Sequence, residues 1–119
     1  MPLPFRKNRV PRAQAPCPVS TCMELLGGAW TPATIWNLQA GPRRFSELQH
    51  DMAPISAKVL SQRLKELEQK GVVRRDVMST SPPSVEYSLT DLGKEFIPAI
   101  AAIAQVGAKL AQRHNWPAP

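Results

Sequence analysis

The stretch Ser56-Ala57-Lys58-Val59-Leu60-Ser61-Gln62-Arg63-Leu64-Lys65-Glu66-Leu67 decides how the rest of the chain reads. At about 100° per residue, Leu60, Leu64 and Leu67 fall in one narrow sector, so the stretch is an amphipathic helix whose core side is marked by leucines. Ser56 is placed to cap it, and good helix formers carry it to Gly71. Lys58, Ser61, Gln62 and Lys65 project from the opposite side, where no acid appears before Glu66 and Glu68. Lysine reaches guanine acceptors or phosphate, glutamine pairs with adenine at two atoms, and serine reaches either. The helix N-terminus adds partial positive charge. A polar outer face is also the rule for any surface helix, so the neighbouring elements must decide between a solvated face and a DNA-reading one.

Upstream, Ser46-Glu47-Leu48-Gln49 reads as a capping box opening a short helix that Pro54 ends, with Arg44-Phe45 before it as a one-bridge strand. The two capped helices form a helix-turn-helix in which Ala57 to Lys70 is the recognition helix. Nearer the start, Ser20 is expected to cap a helix that runs through Leu26 and stops at Gly27-Gly28. Thr31-Pro32 reads as N-cap plus first-turn proline of a helix over residues 32–40, closed by Gly41. Downstream, residues 72–78 and 85–89 are β-rich runs separated by Ser79-Thr80-Ser81-Pro82-Pro83-Ser84, which predicts a hairpin with a proline-stiffened tip. Thr90 caps a long helix in which Leu92, Phe96, Ile100, Ile103, Gly107 and Leu110 step by threes and fours, and Pro98 should kink it. The expected fold class is mainly α with a small β hairpin (α+β), a winged helix-turn-helix with N- and C-terminal dimerisation helices.

Length and charge agree with one small domain that meets an anion. The chain has 119 residues, with Lys+Arg 15 against Asp+Glu 9 and a net charge of +6. Residues 1–16 hold Arg6, Lys7, Arg9 and Arg12 without an acid and are broken by prolines, so they read as a flexible basic arm. Residues 43–75 carry eight basic and four acidic residues, a second positive block. The expected organisation is an arm over 1–16, a domain over 17–113 and a tail over 114–119. No apolar run reaches the roughly 18 residues of a membrane span, and no apolar signal segment follows the N-terminal charges. Two cysteines and two histidines make neither a disulfide framework nor a zinc set, so no metal or cofactor is expected and a reducing cytoplasm is the expected setting. A Ser-His-Asp or Cys-His set, a phosphate-cradling glycine loop and a carboxylate pair with a base partner are all missing, which argues against an enzyme.

From Cys17 to Phe96 the chain resembles the HxlR-type winged helix-turn-helix transcriptional regulators, a bacterial group of dimeric DNA-binding proteins. The resemblance rests on Cys17-Pro18-Val19, Gly27-Gly28-Ala29-Trp30-Thr31, Gly41-Pro42-Arg43-Arg44-Phe45-Ser46-Glu47-Leu48, Ile55 through Leu67, Pro82-Pro83, and Val85-Glu86-Tyr87-Ser88-Leu89-Thr90 with Gly93. It implies that the helix from Ala57 reads the major groove, that the hairpin is the wing and that terminal helices build a dimer. It departs at Ala29 and Ser84, where members often carry a basic residue, which moves the expected wing contacts to Arg74 and Arg75. In several members the cysteine at the position of Cys17 is a redox-responsive thiol.

The DNA-facing set expected from these readings is Arg43, Arg44, Ser46, Ser56, Ala57, Lys58, Ser61, Gln62, Arg63, Lys65, Arg74 and Arg75. The partners are then double-stranded DNA carrying a palindromic operator and a second copy of the chain. Phe96, Ile100, Ile103, Ala104, Gly107 and Leu110 are the expected dimer seam, because the last helix carries more apolar surface than so small a body can cover. Cys17, at the end of the basic arm and before a helix start, is in a setting that lowers a thiol pKa. Cys22 is expected to pack as a small hydrophobe, and Trp30 and Trp36 as core beneath the helix-turn-helix. The competing function is a winged-helix protein-interaction module without sequence-specific DNA binding.

Overall fold

The computed structural model of the chain describes residues 3–8, 10 and 17–113. Arg9, Arg12 and the tail from His114 lie outside the described residues. Within them the order is α1 (Pro18–Leu26), α2 (Thr31–Asn37), β1 (Arg43–Arg44), α3 (Phe45–Asp51), α4 (Ala57–Gln69), β2 (Val73–Met78), β3 (Ser84–Leu89) and α5 (Asp91–Arg113). The strands form an antiparallel sheet in the order β1-β3-β2, so the wing hairpin gains a short third strand from the segment before α3.

Helix α4 follows the sequence expectation. Leu60, Leu64 and Leu67 are 0%, 1% and 1% exposed, and Ser56 Oγ accepts the Val59 N–H at 3.1 Å. These leucines meet Ile35 and Leu38 of the α2 region, Leu48 and Met52 of the α3 region, and Val72 and Val73 at the root of the wing in one core. The base of α5 closes that core. Thr90 Oγ1 accepts the Gly93 N–H at 3.1 Å while the Thr90 N–H donates to the Val72 carbonyl at 3.1 Å, so one residue caps α5 and ties it to β2. Gly93 lies directly on that junction. A Cβ there would collide with the Val72 carbonyl oxygen and press on Leu89, so only glycine lets the first turn of α5 sit this close.

The upstream helices start differently from expectation. Helix α1 begins at Pro18 with Cys17, not Ser20, at the N-cap, because Cys17 precedes a proline and is extended while the proline fits the first turn. Helix α2 is shorter than residues 32–40 and includes Thr31, with Trp30 at the N-cap in a left-handed conformation (φ 71°). The cap of α3 also moves upstream. Glu47 Oε1 accepts the Arg44 N–H at 2.9 Å, closing the turn two residues before Ser46, while the Arg44 guanidinium has no acceptor to return the bond.

Burial corrects three side chains. Ile100, placed by its spacing on a dimer seam, is 6% exposed in the single chain and belongs to the core, with Phe96 half-buried against it. Cys22, expected to pack as a small hydrophobe, is exposed on α1. Trp36 packs against the core as expected, whereas Trp30 is 36% exposed at the loop. Helix α5 continues through Pro98 to Arg113.

The Gly93 junction yields a stability prediction. Gly93→Ala should cost about 1–3 kcal/mol through overpacking, lowering the melting temperature by about 5 °C or more in a thermal scan. An unchanged melting temperature would mean that α5 does not rest on the Val72 carbonyl.

Candidate nucleic-acid interface

With the leucine stripe buried, the outer face of α4 is fixed. Lys58, Ser61, Gln62 and Lys65 are all exposed, as are Ser56 and Ala57 at its start. Ser46, on α3, is exposed too. The outer face of α4 thus presents two cations, a hydroxyl and an amide together, with no acidic side chain before Glu66.

Arg63 does not belong to this face. Its Nε donates to the Ala29 carbonyl at 2.6 Å, its Nη1 lies 3.3 Å from Glu66 Oε1, and its side chain is 18% exposed. It is a tether between α4 and the loop before α2, with Nε and Nη1 both engaged within the protein. That loop needs holding. Trp30 is a bulky residue at positive φ, a conformation that costs of order 1 kcal/mol or more unless its surroundings enforce it. The Trp30 carbonyl accepts from the Thr34 N–H at 2.9 Å and from Thr34 Oγ1 at 2.7 Å, while Arg63 holds the carbonyl one residue earlier. Thr34 is fully buried beneath it.

The sheet register separates the remaining arginines. Arg43 and Arg75 are both opposite Tyr87, one on each side of β3, so these three side chains form a row on one face. Arg75 and Tyr87 border a hollow with Ser61, Lys65 and Glu68 of α4, which makes this the face turned toward the recognition helix. Arg74 is opposite Ser88 and Arg44 is opposite Glu86, and these alternate to the other face. Arg74 Nε is also bonded to Asp76 Oδ2 at 3.0 Å. Arg74 and Arg75, both expected as wing contacts, thus lie on opposite faces of the sheet: Arg75 and Arg43 adjoin the α4 surface, while Arg74 and Arg44 face the other way. Tyr87 was missed from sequence alone. Strand alternation with Arg75 across the hairpin is the signal that could have found it.

Cys17 stands apart from this surface at the start of α1, fully exposed. Its thiol makes no capping hydrogen bond of full geometry, but the nearby backbone N–H of Ser20, then that of Val19, then the Ser20 hydroxyl favour the thiolate and lower its pKa below the usual thiol value. Arg12, expected to contribute, lies outside the described residues. Among the described residues no group of three or more His, Cys, Asp or Glu side chains could hold a metal ion, and no helix is long and apolar enough to cross a membrane.

A capped basic helix behind a short helix, followed by a three-stranded wing, defines a winged helix-turn-helix transcriptional regulator. The HxlR-like helix-turn-helix family profile matches residues 25–115, and the chain belongs to that family. It is 37% identical over 97 residues to the uncharacterized HTH-type transcriptional regulator YdeP of Bacillus subtilis, covering 82% of this chain and 76% of that one. Among solved structures, one assigned to the MarR family of transcriptional regulators, from Porphyromonas gingivalis, superposes with a TM-score of 0.76 at 36% identity, covering 82% of this chain and 95% of the other. The redox regulator HypR in its oxidised form superposes with a TM-score of 0.74 at 33% identity, covering 78% and 96%. These relatives are named as transcriptional or redox regulators.

Two outcomes follow for single residues. Arg63→Ala should lower the melting temperature by several degrees, since a charge-assisted hydrogen bond contributes about 1–3 kcal/mol, whereas Lys65→Ala should leave it within about a degree. Equal melting temperatures for both would remove the tether. For Cys17, the rate of alkylation by iodoacetamide in a Cys22→Ser background should plateau at lower pH than that of glutathione, because a lowered pKa populates the thiolate earlier as pH rises. Coincident profiles would contradict it.

Proposed function

We propose that the chain works as a homodimer in the cytoplasm, reading a two-fold-symmetric operator through Lys58, Ser61, Gln62 and Lys65, with Arg75 and Arg43 steadying the wing side. The observation that carries this reading is the exposed face of α4, cationic and hydrogen-bonding, held outward by three buried leucines. Gln62 and Ser61 have the chemistry of base readout, and the lysines and arginines that of phosphate contacts. Ser46 and Ser56 are assigned to backbone phosphates, because each sits at the outer edge of one helix of the pair.

The dimer reading is supported by the distal half of α5. Ile103, Val106 and Leu110 are 55%, 56% and 43% exposed, spaced by three and four on one stripe, with Ala104 and Gly107 also uncovered. Such a stripe on a small chain calls for a cover, and a second α5 crossing at small residues supplies one. Two-fold symmetry then sets the two recognition helices about one DNA turn apart.

We also assign Cys17 a redox role. It is exposed, its thiolate is favoured, and a structural relative is named a redox regulator. Oxidants or electrophiles would react there first, on the element that precedes the helix-turn-helix.

Selection of bound duplexes from a random pool tests this reading. The expected product is an imperfect palindrome bound by two chains, with the logarithm of affinity falling steeply against the logarithm of salt. Lys65→Ala should reduce that slope by about two units, one for each chain of the dimer, and Gln62→Ala should relax preference at one base pair per half-site by about 1–3 kcal/mol. Equal affinity for selected and random DNA would instead assign an architectural role, and no DNA shift at low salt would favour a protein-interaction module.

A further inference from the structure

Behind the wing, an open cleft of about 550 Å³ lies between β2, β3, the α2–β1 turn and α5. Its floor is apolar: Leu38 is 1% exposed, Leu89 and Ile97 are half-buried, and Pro98 flanks them. Its rim is cationic. Arg74 stands on the wing strand, Lys94 on the first turns of α5, and no acidic side chain lines the cleft.

The bonding on the rim is incomplete in an informative way. Asp76 takes the Nε–H of Arg74, and among the described residues the two terminal nitrogens, with four N–H donors, have no hydrogen-bond partner. The Lys94 side chain has no ion pair or hydrogen bond among the described residues, and neither has Ser88 Oγ, which the register sets beside Arg74. Two cations on separate elements, a hydroxyl beside one of them and apolar side chains in the same cleft make a site with a charged end and a greasy body. The volume is in the range that small organic ligands occupy.

We propose that this cleft binds a small organic monocarboxylate with an aryl or branched alkyl body. The carboxylate lies between Lys94 and the terminal nitrogens of Arg74, and the body covers Leu38, Leu89 and Ile97. Carboxylate and guanidinium match in geometry and charge, and the apolar contact separates such a ligand from an inorganic anion. Because Arg74 belongs to the wing and Lys94 to the long helix, a bound ligand joins the two elements, and its expected consequence is altered DNA affinity. That consequence rests on the DNA-binding reading above; the binding itself does not.

The test is an amide chemical-shift titration of the isotope-labelled full chain with phenylbutyrate and naphthoate, against phenylbutanol and inorganic phosphate. Both carboxylates should give saturable shifts at Arg74, Ser88, Leu89 and Lys94, with the uncharged alcohol weaker by about tenfold and phosphate giving no saturation. Lys94→Gln and Arg74→Gln should each weaken phenylbutyrate by about tenfold while leaving the melting temperature unchanged. No saturable shift with either carboxylate, equal binding of the alcohol or of phosphate, or indifference to both substitutions overturns the site. In the same preparation, operator affinity should change at least about threefold at saturating phenylbutyrate. An unchanged affinity with intact carboxylate binding overturns the coupling to the wing, and failure of DNA binding without ligand strikes the function reading instead.

Discussion

The burial of Leu60, Leu64 and Leu67 is the constraint on which the rest depends. These side chains are 0–1% exposed and lie where α2, α3 and the wing root converge. A helix with one apolar stripe has one rotational setting that buries it, so fixing the leucines also fixes Lys58, Ser61, Gln62 and Lys65 outward. Rotating α4 by a single residue would expose a leucine and bury a lysine, and a buried unpaired lysine costs several kcal/mol. Stability and recognition are therefore set by the same rotational choice.

Two devices hold that setting against sliding. Arg63 reaches back to the Ala29 carbonyl, so α4 is pinned to the turn that positions α2. At the other end, the Gly71 turn (φ 76°) leads directly into Val72, whose carbonyl receives the Thr90 N–H and touches Gly93. The recognition helix, the wing and the long helix thus meet within a few residues, so a force applied to α5 arrives at the root of the wing.

Much of this was legible from local patterns. The α4 stripe, its Ser56 cap, the hairpin and the Thr90 cap all depend on residues within a few positions of one another, and the structure has each of them. What escaped depends on distance along the chain. Arg63 reads as one more cation on a basic helix, and only a contact spanning 34 residues reveals it as a tether. Trp30 at positive φ is hidden because nothing in its own side chain favours that conformation; the bonds from Thr34 and Arg63 around it do. Arg74 and Arg75 look equivalent until the register with Ser88 and Tyr87 sends them to opposite faces. Ile100 fits the heptad-like spacing of an interface equally well, and it is the fold of α5 onto its own domain that claims it for the core. Cys22 failed in the other direction: its apolar neighbours suggested burial, but α1 leaves that side uncovered.

The account turns on α4 offering one face to DNA while Arg63 stays within the protein. A crystal structure of the full chain with a duplex recovered from selection measures both directly. The predicted result places Gln62 and Ser61 at base edges in the major groove and Lys58 and Lys65 at base edges or phosphates, with Arg63 Nε still on the Ala29 carbonyl. A complex in which α4 lies outside the groove, or in which Arg63 leaves Ala29 to contact DNA, would contradict it.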